Sequence, residues 1–445
     1  MTVEHLRLWR WFASSSAVAL LFTLYIVPRA ALVFFSVEPA SDAAWYFNRA
    51  VALAAGHGYS ERGLFTAYWP PGWPLTLALV FKLFGPSIFI VKVVNLLCAM
   101  ATGWFTLDLG RKLFNSELAG RVALLLLAIY PNNIGYVAAA MTEVFYTTLL
   151  LAILWLLIVC QAELRFALAG LILGLATLVK TQSLVVLPFI FGIAILRQHI
   201  TLHQVRLVLF RAGLVTLTAC FVIVPWTLRN HAVFNKWIFV STNGGLTLLT
   251  GNNPSARGDY TPDDPLVTSI SRSVANQVSV DKEARRRAVE WIKGNPGRFI
   301  WLMPMKWFRL WAPDGESEWW FQAGYKQYDK YVSYFRAVRY LNQAYYILLL
   351  LGFIWSGFLL FSGRAKISEL RFDWWMLPYS ITLYVTLLSL VFSGQSRFHY
   401  PIMPIVVMCT GWLLASNFFV QERTRFAAPS DALHPVASKF FPTLD

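Results

Sequence analysis

Ten stretches of this chain lose their polar residues for long enough to suggest membrane crossings. They run over 13–35, 86–109, 118–139, 143–160, 167–179, 183–196, 207–228, 338–361, 373–392 and 402–419. A helix that crosses the hydrocarbon core needs about 20 predominantly apolar residues. The fifth and sixth runs fall short of that, and Lys180 sits between them. Two short helices around a polar break match the pattern of broken helices that line a cavity. The first run reads as a signal anchor, too long for a signal-peptide core and without a small-residue cleavage site after it. The pattern therefore predicts an all-α polytopic membrane protein with about ten transmembrane helices.

Polar segments between the runs divide the chain. Residues 1–228 form an N-terminal transmembrane module that includes a first outer loop, 36–85. Residues 229–337 form a long extracytoplasmic loop, 338–419 the C-terminal transmembrane helices, and 420–445 a flexible cytoplasmic tail. Within the long loop, 282–293 has the spacing of an amphipathic helix and 299–311 that of an interfacial one rich in Trp and Met. Short loops with Lys and Arg stay cytoplasmic. Arg7, Arg10, Arg111, Lys112, Arg165, Arg197, Arg206, Arg364, Lys366 and Arg371 share one side if the N-terminus is cytoplasmic, and an even number of crossings returns the C-terminus there. No internal repeat is visible.

Composition agrees. Hydrophobic residues make up 57% and charged ones 14%, against roughly 25% charged in soluble domains. The net charge of +15 fits cytoplasmic loops and lipid headgroups, and no nucleic-acid-binding signature accompanies it. Cys98, Cys160, Cys220 and Cys409 lie apart in apolar runs and read as core thiols.

The first outer loop holds the most informative chemistry. Asp42 precedes Trp45, Tyr46, Arg49, Leu53 and Ala54 at helical spacing. Two readings of Asp42 stand: it caps a juxtamembrane helix, or it is a carboxylate held outside the bilayer as a general base. The WPPGWP run at 69–74 reads as a rigid turn with membrane anchors, leading to a short helix over 74–85. Glu143 opens the fourth run, either as a first-turn acid favoured by the helix dipole or as a second acid in a cavity. Lys180 snorkels or faces the cavity, and Arg229 ends an outward-going run as a headgroup anchor or an anion ligand. Arg397 occupies a short outer loop where a cation is unexpected, beside His399, whose commoner role is a hydrogen-bonded partner.

The ordered landmarks resemble the polyprenol-dependent membrane glycosyltransferases of the GT-C class: the family 39-like protein mannosyltransferases and the lipid A aminoarabinose and galacturonic acid transferases. They are Asp42, then GHGY at 56–59, YWPPGWP at 68–74, a helix ending FKLFG, MTEVFY at 141–146, LVKTQSLVVLP at 178–188, VPWTLRNHAVF with STNGG and GNNP over 224–254, RRRAVEWIKGNPGRF at 285–299, and SRFHYPIMP at 396–404. The resemblance implies an enzyme of the bacterial inner membrane. It would move a sugar from a polyprenyl-phosphate donor to an acceptor hydroxyl on a lipid, glycan or protein, at the extracytoplasmic face and with inversion. It implies Asp42 as base with Glu143 as the second acid, Lys180, Arg229 and Arg397 on the donor phosphate, and His57, Tyr68, Trp69, Asn252 and His399 toward substrate. A divalent metal ion is the cofactor it leaves open, with Asp42, Glu143 and His57 as the ligand set. This chain departs from better-known members in having Ala43 and Ala44 after its one first-loop acid, and Glu rather than Asp at 143.

Three rivals remain. A transporter or flippase of lipid-linked sugars accounts for the runs and Lys180, but not for an outer segment of this length, and it calls for an internal repeat. A ligase or polymerase using polyprenyl diphosphate shares the donor chemistry but lacks the WPPGWP landmark. The third is a scaffold without activity.

Overall fold

A computed structural model describes residues 14–162, 164–195, 201–270, 272–364 and 373–423. Arg7, Arg10, Arg197, Lys366, Arg371 and most of the C-terminal tail lie outside the described residues. The helices, numbered here in chain order, are α1 Ser15–Val33, α2 Ser41–Ala54, α3 Gly72–Phe84, α4 Ile88–Leu113, α5 Glu117–Ala128, α6 Glu143–Ile158, α7 Arg165–Val179, α8 Val186–Ile195 and α9 Leu202–Phe234. After them come α10 Gly244–Gly251, α11 Gln277–Gly294, α12 Pro296–Trp311, α13 Ser317–Gly324, α14 Val332–Phe361, α15 Leu377–Val391 and α16 Met403–Arg423. The one sheet among the described residues is a hairpin, β1 Ser60–Glu61 with β2 Leu64–Phe65.

All ten apolar runs are helical, but the count of crossings changes. Six helices among the described residues are long and apolar enough to span a bilayer, or seven if a bent pair counts as one. The bent pair is α5 with 131–138, turned by 67°. α6, α7 and the stretch Thr181–Ile195 are apolar but shorter than 18 residues. At about 1.5 Å per residue such helices reach only part of the way across the hydrocarbon core. The broken pair around Lys180 is seen as α7, a 3-10 turn at Thr181–Val185, and α8. Both amphipathic stretches of the long loop are helices, α11 and α12. α12 exposes Ile300, Trp301, Trp307 and Phe308 while burying Leu302, Lys306 and Leu310.

Local chemistry sets the ends of these elements. Ser14, Ser87 and Ser116 accept backbone N–H bonds at the starts of α1, α4 and α5. Thr201 and Gln204 form a capping box at α9, which ends on Asn235 at φ +51°. The bend after α5 is stabilised by a buried cation. Arg29 of α1 donates to the carbonyls of Leu127 and Ala128 and to Asn133 Oδ1 at 2.6 Å. These are the carbonyls a helix end leaves without partners.

Two features place the core. The segment 396–416 is 89% buried, against 22–33% for the other long spans, so α16 is the central helix and the others keep lipid-facing sides. α7 lies on α9 through Gly170 and Gly174, a small-xxx-small stripe. A Cβ at Gly170 meets Thr218 Oγ1 at 1.8 Å and the Val215 carbonyl at 2.4 Å. The backbones touch where no side chain fits.

The WPPGWP run proves to be a brace. Gly72 lies so close to Leu178 that a Cβ would stand 2.7 Å from its backbone carbon. Trp73 is fully buried, donates Nε1–H to the Ala140 carbonyl at 3.2 Å and packs on Phe145. It is therefore not a membrane anchor. The run ties α3 to the stretch before α6 and to the last turn of α7, beside Glu143 and Lys180.

Candidate active site

Asp42 stands in the first turn of α2, after an extended Ala40 and a Ser41 held at φ +49°. A non-glycine residue at such a φ is uncommon, and backbone strain of this kind collects at functional sites. The helix cap is Ala40 and makes no side-chain bond. The capping reading of Asp42 therefore falls. Its Oδ2 instead accepts a bond from Arg397 Nη1 at 2.8 Å, across 355 positions of sequence. The two side chains are 23% and 20% exposed, so the pair stands at a mouth rather than in the core.

A second ion pair lies close by. α6 and α7 are consecutive antiparallel helices, so the end of α7 returns to the start of α6. Glu143, first residue of α6, meets Lys180, just past the end of α7, at 3.2 Å. Each charge suits its helix terminus: an anion at an N-terminus, a cation at a C-terminus. Glu143 is 2% exposed and Lys180 14%. Thr142 Oγ1 also donates to Glu143, and the Lys180 ammonium lies over the Tyr146 ring. Removing one member of a nearly buried pair strands the other charge, at about 3 kcal/mol or more. Lys180→Met should destabilise the protein by about that amount, read as a lower thermal unfolding midpoint in detergent. The double variant with Glu143→Gln should recover most of it.

The two pairs form one cluster. Asp42, Glu143 and Glu316 are all within electrostatic reach of the Arg397 guanidinium. Tyr46, one turn after Asp42, feels Asp42, Glu143 and Arg397, and burial pushes its phenol well above its ordinary value. Aromatic rings wall the mouth. Trp69 packs edge-on against Tyr46 at 5.6 Å and Tyr68 at 5.7 Å, with Trp45 at 6.2 Å. Burial pushes the Tyr68 phenol up to about 12. Tyr68 and Trp69 thus stand beside the charged cluster.

A buried polar layer fixes Arg397 from below. His399 is fully buried, its Nδ1 2.6 Å from the Leu310 carbonyl and its Nε2 3.0 Å from Asp314. It stacks between Trp311 and Tyr346. Asp314 also accepts bonds from Tyr130, Asn132 and Asn342. Asn252, also fully buried, donates to the Val391 carbonyl and accepts from Lys306. Lys306 donates further to Leu390 and Val391, the end of α15, and burial holds it down at about 8. Asn252 and His399 are therefore packed into the scaffold that carries the 391–400 loop, not open to a substrate.

Other expected residues lie elsewhere. Arg229 donates to the carbonyls of Tyr59 and Thr66 and to Asn230, with its guanidinium 4.8 Å from the Trp226 ring centroid. It clamps the hairpin and makes no ion pair with the cluster. His57 is exposed just after α2. Among the described residues no three of His, Cys, Asp and Glu are grouped to hold a metal ion, so Asp42, Glu143 and His57 do not form a ligand set. Each carboxylate of that trio is already matched by a cation. Glu316, which no local motif marks, also belongs to the cluster: Ser396 Oγ donates to Glu316 Oε2 at 2.6 Å.

An all-helical membrane protein with a charged cluster at one end of its bundle is the class that fold and site define. Residues 69–226, which include Glu143 and Lys180, match the model of the family described as dolichyl-phosphate-mannose-protein mannosyltransferase. That match is of the same kind as the resemblance read from the sequence, over part of the chain. No curated protein matches the chain. Among solved structures, it is similar to the Archaeoglobus fulgidus oligosaccharyltransferase in complex with zinc and sulfate, at 15% identity and TM-score 0.51, over 92% of this chain and 49% of that one. The same enzyme tethered to an acceptor peptide containing the NVT sequon gives 12% identity and TM-score 0.53, over 94% and 51%. ArnT from Cupriavidus metallidurans bound to undecaprenyl phosphate gives 13% identity and TM-score 0.43, over 93% and 80%. The likeness to the archaeal enzyme shows a shared fold, and this chain spans about half of that enzyme's length.

Proposed function

We propose that this protein is an integral membrane glycosyltransferase. It moves a sugar from a polyprenyl-phosphate donor to an acceptor hydroxyl on a lipid, glycan or protein. The observation that carries the reading is the meeting of Asp42 with Arg397 at 2.8 Å, beside Glu143 and Lys180, in a chain with a mannosyltransferase-family segment. The donor sugar is already activated by its phosphate, so the chemistry needs one base and a cationic cradle. Asp42 takes the acceptor proton as the hydroxyl attacks the anomeric carbon. The bond from that carbon to phosphate oxygen breaks on the opposite face, which inverts the centre. Arg397 and Lys180 stabilise the leaving phosphate, Arg397 with two parallel bonds and Lys180 as a point charge. Tyr68 and Trp69 offer flat faces for a sugar ring. The orientation follows from the basic short loops: both termini cytoplasmic and the cluster extracytoplasmic, in a bacterial inner membrane with about ten helices in the bilayer. Short α6, α7 and α8 then line the cavity rather than face lipid.

The transporter reading competes less well, because a flippase needs no carboxylate matched to a guanidinium at its mouth. Mass spectrometry of lipids that copurify with the protein tests the choice. A bound polyprenyl phosphate, and its release from donor lipid on adding acceptor membranes, is the expected result. Phospholipid alone, with no donor consumed, contradicts it.

A further inference from the structure

The three carboxylates around Arg397 differ in what they are free to do. Asp42 already holds the guanidinium. Glu143 is buried and carries Lys180. Glu316 is partly buried and, among the described residues, makes no ion pair at contact distance, although it lies within electrostatic reach of Arg397. Among the described residues the one hydrogen bond to its carboxylate comes from Ser396, the residue immediately before Arg397. That bond sets the Glu316 carboxylate beside the backbone from which the Arg397 side chain starts.

The loop around Arg397 is pinned on both sides. The Gly394 N–H donates to the Gly258 carbonyl, Asn252 holds the Val391 carbonyl, and His399 is fixed by Leu310 and Asp314. Gly394 lies so close to Lys306 that a Cβ would stand 1.9 Å from its carbonyl oxygen. With the backbone held, the freedom that remains is the long Arg397 side chain, which has several torsions to turn about.

We propose that Glu316 is a positioning residue that gives Arg397 a second seat, so that the guanidinium leaves Asp42 for Glu316 in each turnover and returns afterwards. The inference rests on Asp42 as the base. A carboxylate must offer a free lone pair to the hydroxyl whose proton it takes. A guanidinium bonded to Asp42 Oδ2 occupies one of the two oxygens that the hydroxyl must approach. Moving a half-buried cation off its partner is costly unless another anion receives it. Glu316 is the anion placed to do so, and from there Arg397 still reaches the mouth where phosphate departs.

Release of undecaprenyl phosphate tests this, measured in liposomes with lipid-linked sugars extracted from the expression host as donor and host membranes as acceptor. Glu316→Gln should lower kcat about tenfold while the apparent KM for donor stays within about twofold. Glu316→Asp keeps the charge but shortens its reach, and should lose about threefold in kcat, again at constant KM. A Glu316→Gln enzyme at full rate, or a loss confined to KM, overturns the second seat. If Glu316→Gln does not fold, Glu316→Asp decides: full rate or a change in KM alone overturns it. A wild-type protein that releases no undecaprenyl phosphate defeats the glycosyltransferase reading itself, a different outcome from an active wild type with insensitive variants.

Discussion

Asp42→Asn should abolish sugar transfer while leaving the protein folded. A general base contributes about 10²- to 10⁴-fold in rate, so turnover should fall at least about 100-fold. The amide keeps the shape of the side chain and an oxygen that still accepts from Arg397 Nη1, so the site is not emptied. The Asp42–Arg397 pair is 23% and 20% exposed, and with the amide oxygen still accepting from Arg397 and with Glu143 and Glu316 still within reach of the guanidinium, the cation is not stranded. The variant should therefore elute as wild type and unfold within a few degrees of it. The measurement is release of polyprenyl phosphate from donor lipid by wild type and variant at equal protein. Full turnover by the variant removes Asp42 from the mechanism.

The second large effect lies far from the chemistry. Gly170→Leu should prevent α7 from packing on α9. A Cβ at this position already stands 1.8 Å from Thr218 Oγ1 and 2.4 Å from the Val215 carbonyl. The second of these is backbone, which cannot turn aside as a side chain can. Overpacking of a tight interface costs about 3 kcal/mol or more when the backbone must move. α7 also ends at Lys180, so a displaced α7 carries Lys180 away from Glu143. The variant should lose its monodisperse peak in detergent, or retain it with a sharply lower unfolding midpoint and little turnover. Gly192→Ala is the matched control, because a Cβ there meets nothing within 4 Å. Equal behaviour of the two variants contradicts the close α7–α9 contact.

Much of the architecture was readable because lipid demands a simple pattern. Apolar runs locate the helices, and each of the ten is helical. Their number as full crossings was not readable from apolarity alone. α6 is almost entirely apolar yet has only 16 residues, and α5 breaks at Pro131 with a bend of 67°. Apolar sequence reports the absence of water, whether the neighbour is lipid or another helix.

The site divides the same way. Asp42, Glu143, Lys180 and Arg397 each break an apolar or weakly charged context at a cost that asks for a reason, and the fold brings the four together. Their pairing was not readable, because Asp42 and Arg397 are joined by helix packing across nearly the whole chain. Glu316 was hidden for the opposite reason: in the charged outer loop one more acid costs nothing in sequence terms, and only the Ser396 contact distinguishes it. Arg229 and Trp73 show the limit from the other side. Both residue types commonly mark membrane interfaces, and here one clamps a hairpin and the other is buried as a brace.

The most direct test of the account is a structure of the protein with bound undecaprenyl phosphate. It should place the phosphate within ion-pair distance of Arg397 or Lys180, on the side that Asp42 faces, with the lipid tail leaving between the short helices. A phosphate seated beyond reach of both cations, or on the far side of the bundle from Asp42, contradicts it.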